Sequence, residues 1–107
     1  MKNLDEEFDK KIEEEALFLL RMSKNYLQAL KVATKELKLD AFLQAIQQLH
    51  RSIGEVMGLT KYMQAKKERF EETFNKVMTE TQQILMEAFT VIEEFRRKFV
   101  EKCNRRD

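Results

Sequence analysis

The sequence predicts an all-α protein, an elongated antiparallel three-helix bundle with a long C-terminal helix. Three observations carry that prediction. Proline is absent and glycine occurs twice in 107 residues, so almost nothing interrupts a chain dominated by helix formers. Apolar residues make up 43% and charged residues 36%, too apolar for a disordered tail and too charged for a bulky globular core. Along most of the chain the apolar residues recur at three- and four-residue spacing, the signature of amphipathic helices. A single helical domain over residues 1–107 is expected, since a chain of this length buries enough surface to fold alone.

The first helix is expected over residues 4–37, on the stripe Leu4, Phe8, Ile12, Ala16, Leu19, Leu20, Leu27, Leu30, Ala33 and Leu37. Asn3 is placed to cap it, and Asp5, Glu6 and Glu7 oppose the helix dipole in the first turn. The triplet Ser23-Lys24-Asn25 is a weak point, because Ser and Asn compete for backbone hydrogen bonds. The stripe continues across it, which argues for one unbroken helix.

At "LKLD" the pattern stops, and Asp40 is positioned to cap a second helix with the stripe Phe42, Ile46, Leu49, Ile53 and Met57. A short reversal makes the first two helices antiparallel neighbours. The third stripe runs through Phe70, Phe74, Val77, Thr81, Ile84, Leu85, Ala88, Val91, Ile92, Phe95 and Phe99 to Cys103. The third helix as a whole, Phe89 included, carries five of the eight phenylalanines. Its heptad-like spacing is irregular and does not indicate a dedicated parallel coiled coil.

The boundary between helices two and three turns on "SIGEVMGLTKYM", residues 52–63, which holds both glycines. Gly58 suits a left-handed helix end and Thr60 a following cap, which gives helices of 41–57 and 60–104. The competing boundary lies at "QAKKER", residues 64–69. It gives helices of more even length and sets basic residues against the acidic start of helix one, but it contains no turn residue. Local chemistry therefore favours the break at Gly58. A third helix that long would outrun its neighbours and expose apolar surface needing a partner.

Twenty basic residues against nineteen acidic leave a formal charge of +1, so no global field draws the chain to nucleic acid or anionic lipid. The single cysteine precludes an intramolecular disulfide and favours a reducing, cytoplasmic setting. No run approaches the roughly 18 apolar residues of a membrane span, and the first residues contain no apolar signal-like core.

Candidate chemistry is sparse. His50 is the only histidine, without a nucleophile beside it or the paired Glu-x-x-His motifs of a di-iron bundle. Cys103 is flanked by cations that would favour a thiolate, but no second cysteine accompanies it. The glycine pair lacks the context of a phosphate loop. No catalytic residue, metal ligand or cofactor site is expected.

Apolar surplus is the remaining feature. Met and Phe together make adaptable surfaces for partner helices, and more than one face of helices one and three is apolar. The expected function is a non-enzymatic helical interaction module: an adaptor, a chaperone-like protein or a subunit of a helical complex. It would bind a partner helix or self-associate through Phe70, Phe74, Met78, Met86, Phe89, Phe95 and Phe99. The alternative is a nucleic-acid or anionic-lipid contact by the basic end, Arg96, Arg97, Lys98, Lys102, Arg105 and Arg106.

Overall fold

The computed structural model describes residues 4–105. It consists of α1 (Leu4–Glu36), α2 (Leu39–Ala65) and α3 (Lys67–Asn104), with no strand among the described residues. The expected Asn3 cap and Arg106 lie outside them. The molecule measures 73 × 19 × 15 Å, the elongated form that the charge-rich composition implies.

Each buried row follows the three-four spacing that brings side chains to one helix face. Ala16, Leu20, Leu27 and Leu30 of α1 meet Ala45, Leu49, Val56 and Met63 of α2, and Val77, Ile84, Ala88 and Phe95 of α3. Including Thr81, the inward row of α3 alternates strictly from Phe74 to Phe95, more regularly than the stripe suggested. Such spacing suits side-by-side packing at a shallow crossing angle.

Long-range contacts fix the directions. Ser23 Oγ lies 2.7 Å from Ser52 Oγ, and the Tyr62 hydroxyl donates to Asp9 at 2.7 Å, so α2 runs antiparallel to α1. The rings of Phe42 and Phe95 stack with centroids 3.8 Å apart, while Tyr62 meets Phe70 edge-on, so α3 reverses again. Through Ser23 α1 is continuous: its hydroxyl donates within the helix to the Leu19 carbonyl at 2.9 Å, and no break occurs at residues 23–25.

The first turn is made without glycine or proline. Leu37 adopts φ 56°, Lys38 N–H bonds to the Ala33 carbonyl, and Leu37 N–H bonds to that of Thr34. This is the Schellman arrangement that satisfies the last carbonyls of α1, normally with glycine at the left-handed position. Leucine there costs about 1–2 kcal/mol, offset by packing of its side chain against the core. Lys38 occupies the N-cap position of α2 without a side-chain bond. Asp40 therefore sits inside the first turn, opposing the dipole, and is not the cap that the sequence suggested.

The break expected at Gly58 does not occur. Both glycines are helical, neither has positive φ, and the chain turns at Lys66. Helix three accordingly starts at Lys67, not residue 60. Each internal glycine costs about 1 kcal/mol relative to alanine. Continuing the helix past Gly58 buries Thr60 and Met63 against the bundle, and full burial of an apolar side chain such as Met63 contributes about 1.5–3 kcal/mol. Burial outweighs propensity.

Asp9 marks the place of the turn. Its buried carboxylate accepts from Tyr62 at the end of α2, from Lys66 in the turn at 3.5 Å, and from Arg69 in the first turn of α3. One turn further along, Thr73 donates to Glu13. The Tyr62 hydroxyl, then the Arg69 guanidinium and the charge of Lys66, hold Asp9 below the usual carboxylate range despite its burial. Lys66, beside the Tyr62 hydroxyl and Asp9, and Arg69, bonded to Asp9, are both raised.

Candidate helix-docking face

α3 makes two unlike seams. Toward α1 it is bridged by polar contacts, Asp9 to Arg69, Glu13 to Thr73, Lys24 to Glu80 at 2.5 Å and Lys31 to Glu87 at 2.7 Å, and the depressions between them carry charge in their linings, Lys76 and Glu80 in one and Glu94 and Lys98 in another. Toward α2, on the side away from α1, it leaves a groove of about 200 Å³ lined by Ile46, Leu49, His50 and Ile53 of α2 and Leu85, Ala88, Phe89 and Ile92 of α3. His50 is the only polar side chain in that lining. The groove arises because α2 and α3 each carry a second apolar row beside the inward one, and a third helix can cover only the first.

Several large apolar side chains stand in the open on these two helices, Phe89 among them in the groove wall. Phe89 is 68% exposed, and Leu39, Leu43 and Met57 are exposed along α2. Charge is scarce here. Of the 27 residues of α2 only Asp40, Arg51, Glu55 and Lys61 are charged, whereas α1 carries Asp5, Glu6, Glu7, Asp9 and Glu13 within its first three turns. Between residues 77 and 92 of α3 only Glu80 and Glu87 are charged, and both are engaged by α1. A helix face meant for water is normally charged, so a neutral outer face on two adjacent helices is the anomaly of the molecule.

The seven apolar candidates separate by position. Phe70 and Phe95 are core residues, 2% and 3% exposed, and have no surface to offer a partner in this fold. Phe74 and Phe99 are partly buried against the core, and Met78 is half-buried. Phe89 stands on the groove. Met86 is 70% exposed and borders a shallow depression with Lys31, Glu87, Thr90 and Val91 on the α1 side. Sequence reasoning missed the α2 contributors Ile46, Leu49, His50 and Ile53 as contacts, because a one-helix stripe does not show which of two adjacent apolar rows a neighbour covers. Their strict spacing beside an uncharged face was the signal available.

The basic end is laced internally. Arg96 pairs with Glu93, Arg97 with Glu101, Lys98 with Glu94 and Arg105 with Glu101. Its positive charge is largely matched along the same helix.

The cleft of about 450 Å³ at the Asp9 end is lined by Glu6, Asp9, Lys10, Glu13, Arg69 and Phe70. Asp9 holds three donors there, which suits a clamp on the α2–α3 turn. Cys103 is exposed near the end of α3. Among the described residues no group of three His, Cys, Asp or Glu side chains is arranged to hold a metal ion, and no helix is long and apolar enough to cross a membrane.

No family model, no curated protein and no solved structure matches this chain.

Proposed function

We propose that this protein is a non-enzymatic helical interaction module that seats a partner helix on the outer face of α2 and α3. The observation that carries the proposal is the groove between them, apolar but for His50 and open to solvent beside a highly exposed Phe89. A groove framed by two helices with apolar rows at three-four spacing matches the shape and periodicity of one amphipathic helix, which would complete a four-helix bundle. The proposal narrows the docking residues to Leu43, Ile46, His50, Met57, Leu85 and Phe89.

The test is a titration of a fluorescein-labelled, three-heptad leucine-rich amphipathic peptide with dilute full chain, read as anisotropy. Saturable binding that changes little with salt and is lost in Phe89→Glu is the expected result. No rise in anisotropy would overturn the reading. Binding that falls by orders of magnitude between low and moderate salt would instead favour the basic end of α3. Pairing of its cations with glutamates counts against that alternative.

A further inference from the structure

We propose that the helices docking on this face belong to a second copy of the same chain, packed antiparallel so that α2 meets α2 and α3 meets α3 across a two-fold axis. The proposal rests on the docking reading above and specifies its occupant.

The charge pattern along the two exposed rows carries it. On α2, residues at three-four spacing run from Asp40 through Leu43, Gln47, His50, Gly54 and Met57 to Lys61. The row is acidic at its start, basic at its end and uncharged between. On α3 the row that contains Leu85, Phe89 and Ile92 begins at Glu71 and ends at Arg96 at the same spacing, with no charge between those ends. All four terminal residues are exposed. Each row is its own electrostatic complement when reversed. An antiparallel copy sets Asp40 against Lys61 of the partner subunit and Glu71 against Arg96 of the partner subunit. A two-fold axis along the helices would instead lay α2 over α3 of the partner subunit, and the charge-swap mixture described below separates that arrangement from the antiparallel one.

The two rows agree on one axis. The midpoint between Asp40 and Lys61 falls between His50 and Arg51, and that between Glu71 and Arg96 falls between Gln83 and Ile84. Contacts of Phe42 with Phe95 near one end and Tyr62 with Phe70 near the other bring residues 50–51 of α2 level with residues 84–85 of α3. One rotation therefore satisfies both pairings to within a residue. The same level lies within the groove, at His50 and Leu85, so the two apolar patches superpose on the axis. Gly54, beside it, faces open space: a Cβ at that position would meet no atom within 4 Å, which leaves room for the facing Gln47.

Size sets the strength. From Asp40 to Lys61 the row is about 33 Å long, and two helices about 10 Å wide give roughly 650 Å² per copy. That is near the lower end of specific interfaces, which bury about 800 Å² per partner. The dimer is proposed as a reversible one, with a dissociation constant in the micromolar range.

Sedimentation equilibrium of the full chain from about 1 µM to about 1 mM spans such a constant. A monomer–dimer equilibrium is expected for the wild type. Phe89→Glu, which places two charges in the apolar centre, should weaken it at least a hundredfold while helicity is unchanged, since Phe89 is exposed in the monomer. D40K and K61D should each weaken it about tenfold, by turning two attractive contacts into repulsive ones. An equimolar mixture of D40K and K61D should recover wild-type association, because every charge then faces its opposite.

A wild type that stays monomeric throughout overturns the proposal, and the peptide titration then decides separately whether the face takes a foreign helix. Dimerisation unaffected by Phe89→Glu overturns the assignment to this face. A mixture no tighter than its components overturns the antiparallel register.

Discussion

The seam between α1 and α3 and the face shared by α2 and α3 are written in the same three-four spacing and finished in opposite ways. Along the first, charged side chains from both helices reach across the apolar row and meet, as Lys24 does Glu80 and Lys31 does Glu87. Along the second, the flanking positions include Gln47, Gly54, Met57, Met78 and Gln82, and the groove stays open. Exposed ion pairs contribute only about 0–1 kcal/mol each, so the pairs are not what holds α1 to α3. Their significance is that they line the rim of that seam with charge, whereas the rim of the other face carries almost none. The contrast separates a seam completed within the chain from a face left for a second one.

The largest test of this contrast uses two phenylalanines of α3, Phe89 and Phe95. Phe95→Ala, which removes a buried ring stacked on Phe42, should cost about 3–5 kcal/mol. Phe89→Ala should change the stability of the dilute monomer by no more than about 0.5 kcal/mol. Urea unfolding followed by circular dichroism measures both, and an equal cost at the two sites would mean that the groove is closed in the monomer.

Next is the clamp at the other end of the bundle. Asp9→Asn should lower the unfolding midpoint at neutral pH, since Tyr62, Lys66 and Arg69 all lose a charged acceptor. The folded pKa of Asp9 lies below its ordinary 3.8, so its stabilisation is complete above that value and is lost as pH falls through the folded pKa. The gap between wild type and variant should therefore close on acidification below 3.8 and remain open above it. Lys66 and Arg69 have raised values, so their share persists below the ordinary 10.5 of lysine and fades only on strong alkalinisation. A gap that does not vary with pH would show that the charge of Asp9 is immaterial to the turn.

The smallest effect belongs to the glycines. Gly54→Ala and Gly58→Ala should each raise monomer stability by about 0.8–1 kcal/mol, because both positions are helical and a side-chain carbon meets nothing within 4 Å. Thermal unfolding at low protein concentration checks this. A loss at either position would place a helix end or a close contact there after all.

How far the structure was legible differs from one element to another. The stripe from Leu4 to Leu37 specifies α1 because all but one of the helical turns from Ile12 onward contribute an apolar residue at one face, the exception being the turn of Ser23. The run from Phe70 to Phe95 specifies most of α3 for the same reason. The turn at Lys66 was not legible locally. "QAKKER" has no residue that favours a turn, and the carboxylate that gathers its side chains is Asp9, far earlier in the chain. The glycines misled for a related reason: their local preference is about 1 kcal/mol each, less than the burial of Met63 that a straight α2 achieves. Phe70 and Phe95 looked like partner contacts because burial is a property of neighbours, and the sequence of one helix does not say which row its neighbours cover.

Helix content, the number of helices and the elongated shape thus follow from composition and periodicity alone, since both act through contacts within a few residues. Where α2 ends, which phenylalanines are core and which face stays uncovered depend on contacts between distant residues, and the assembled bundle alone decides them.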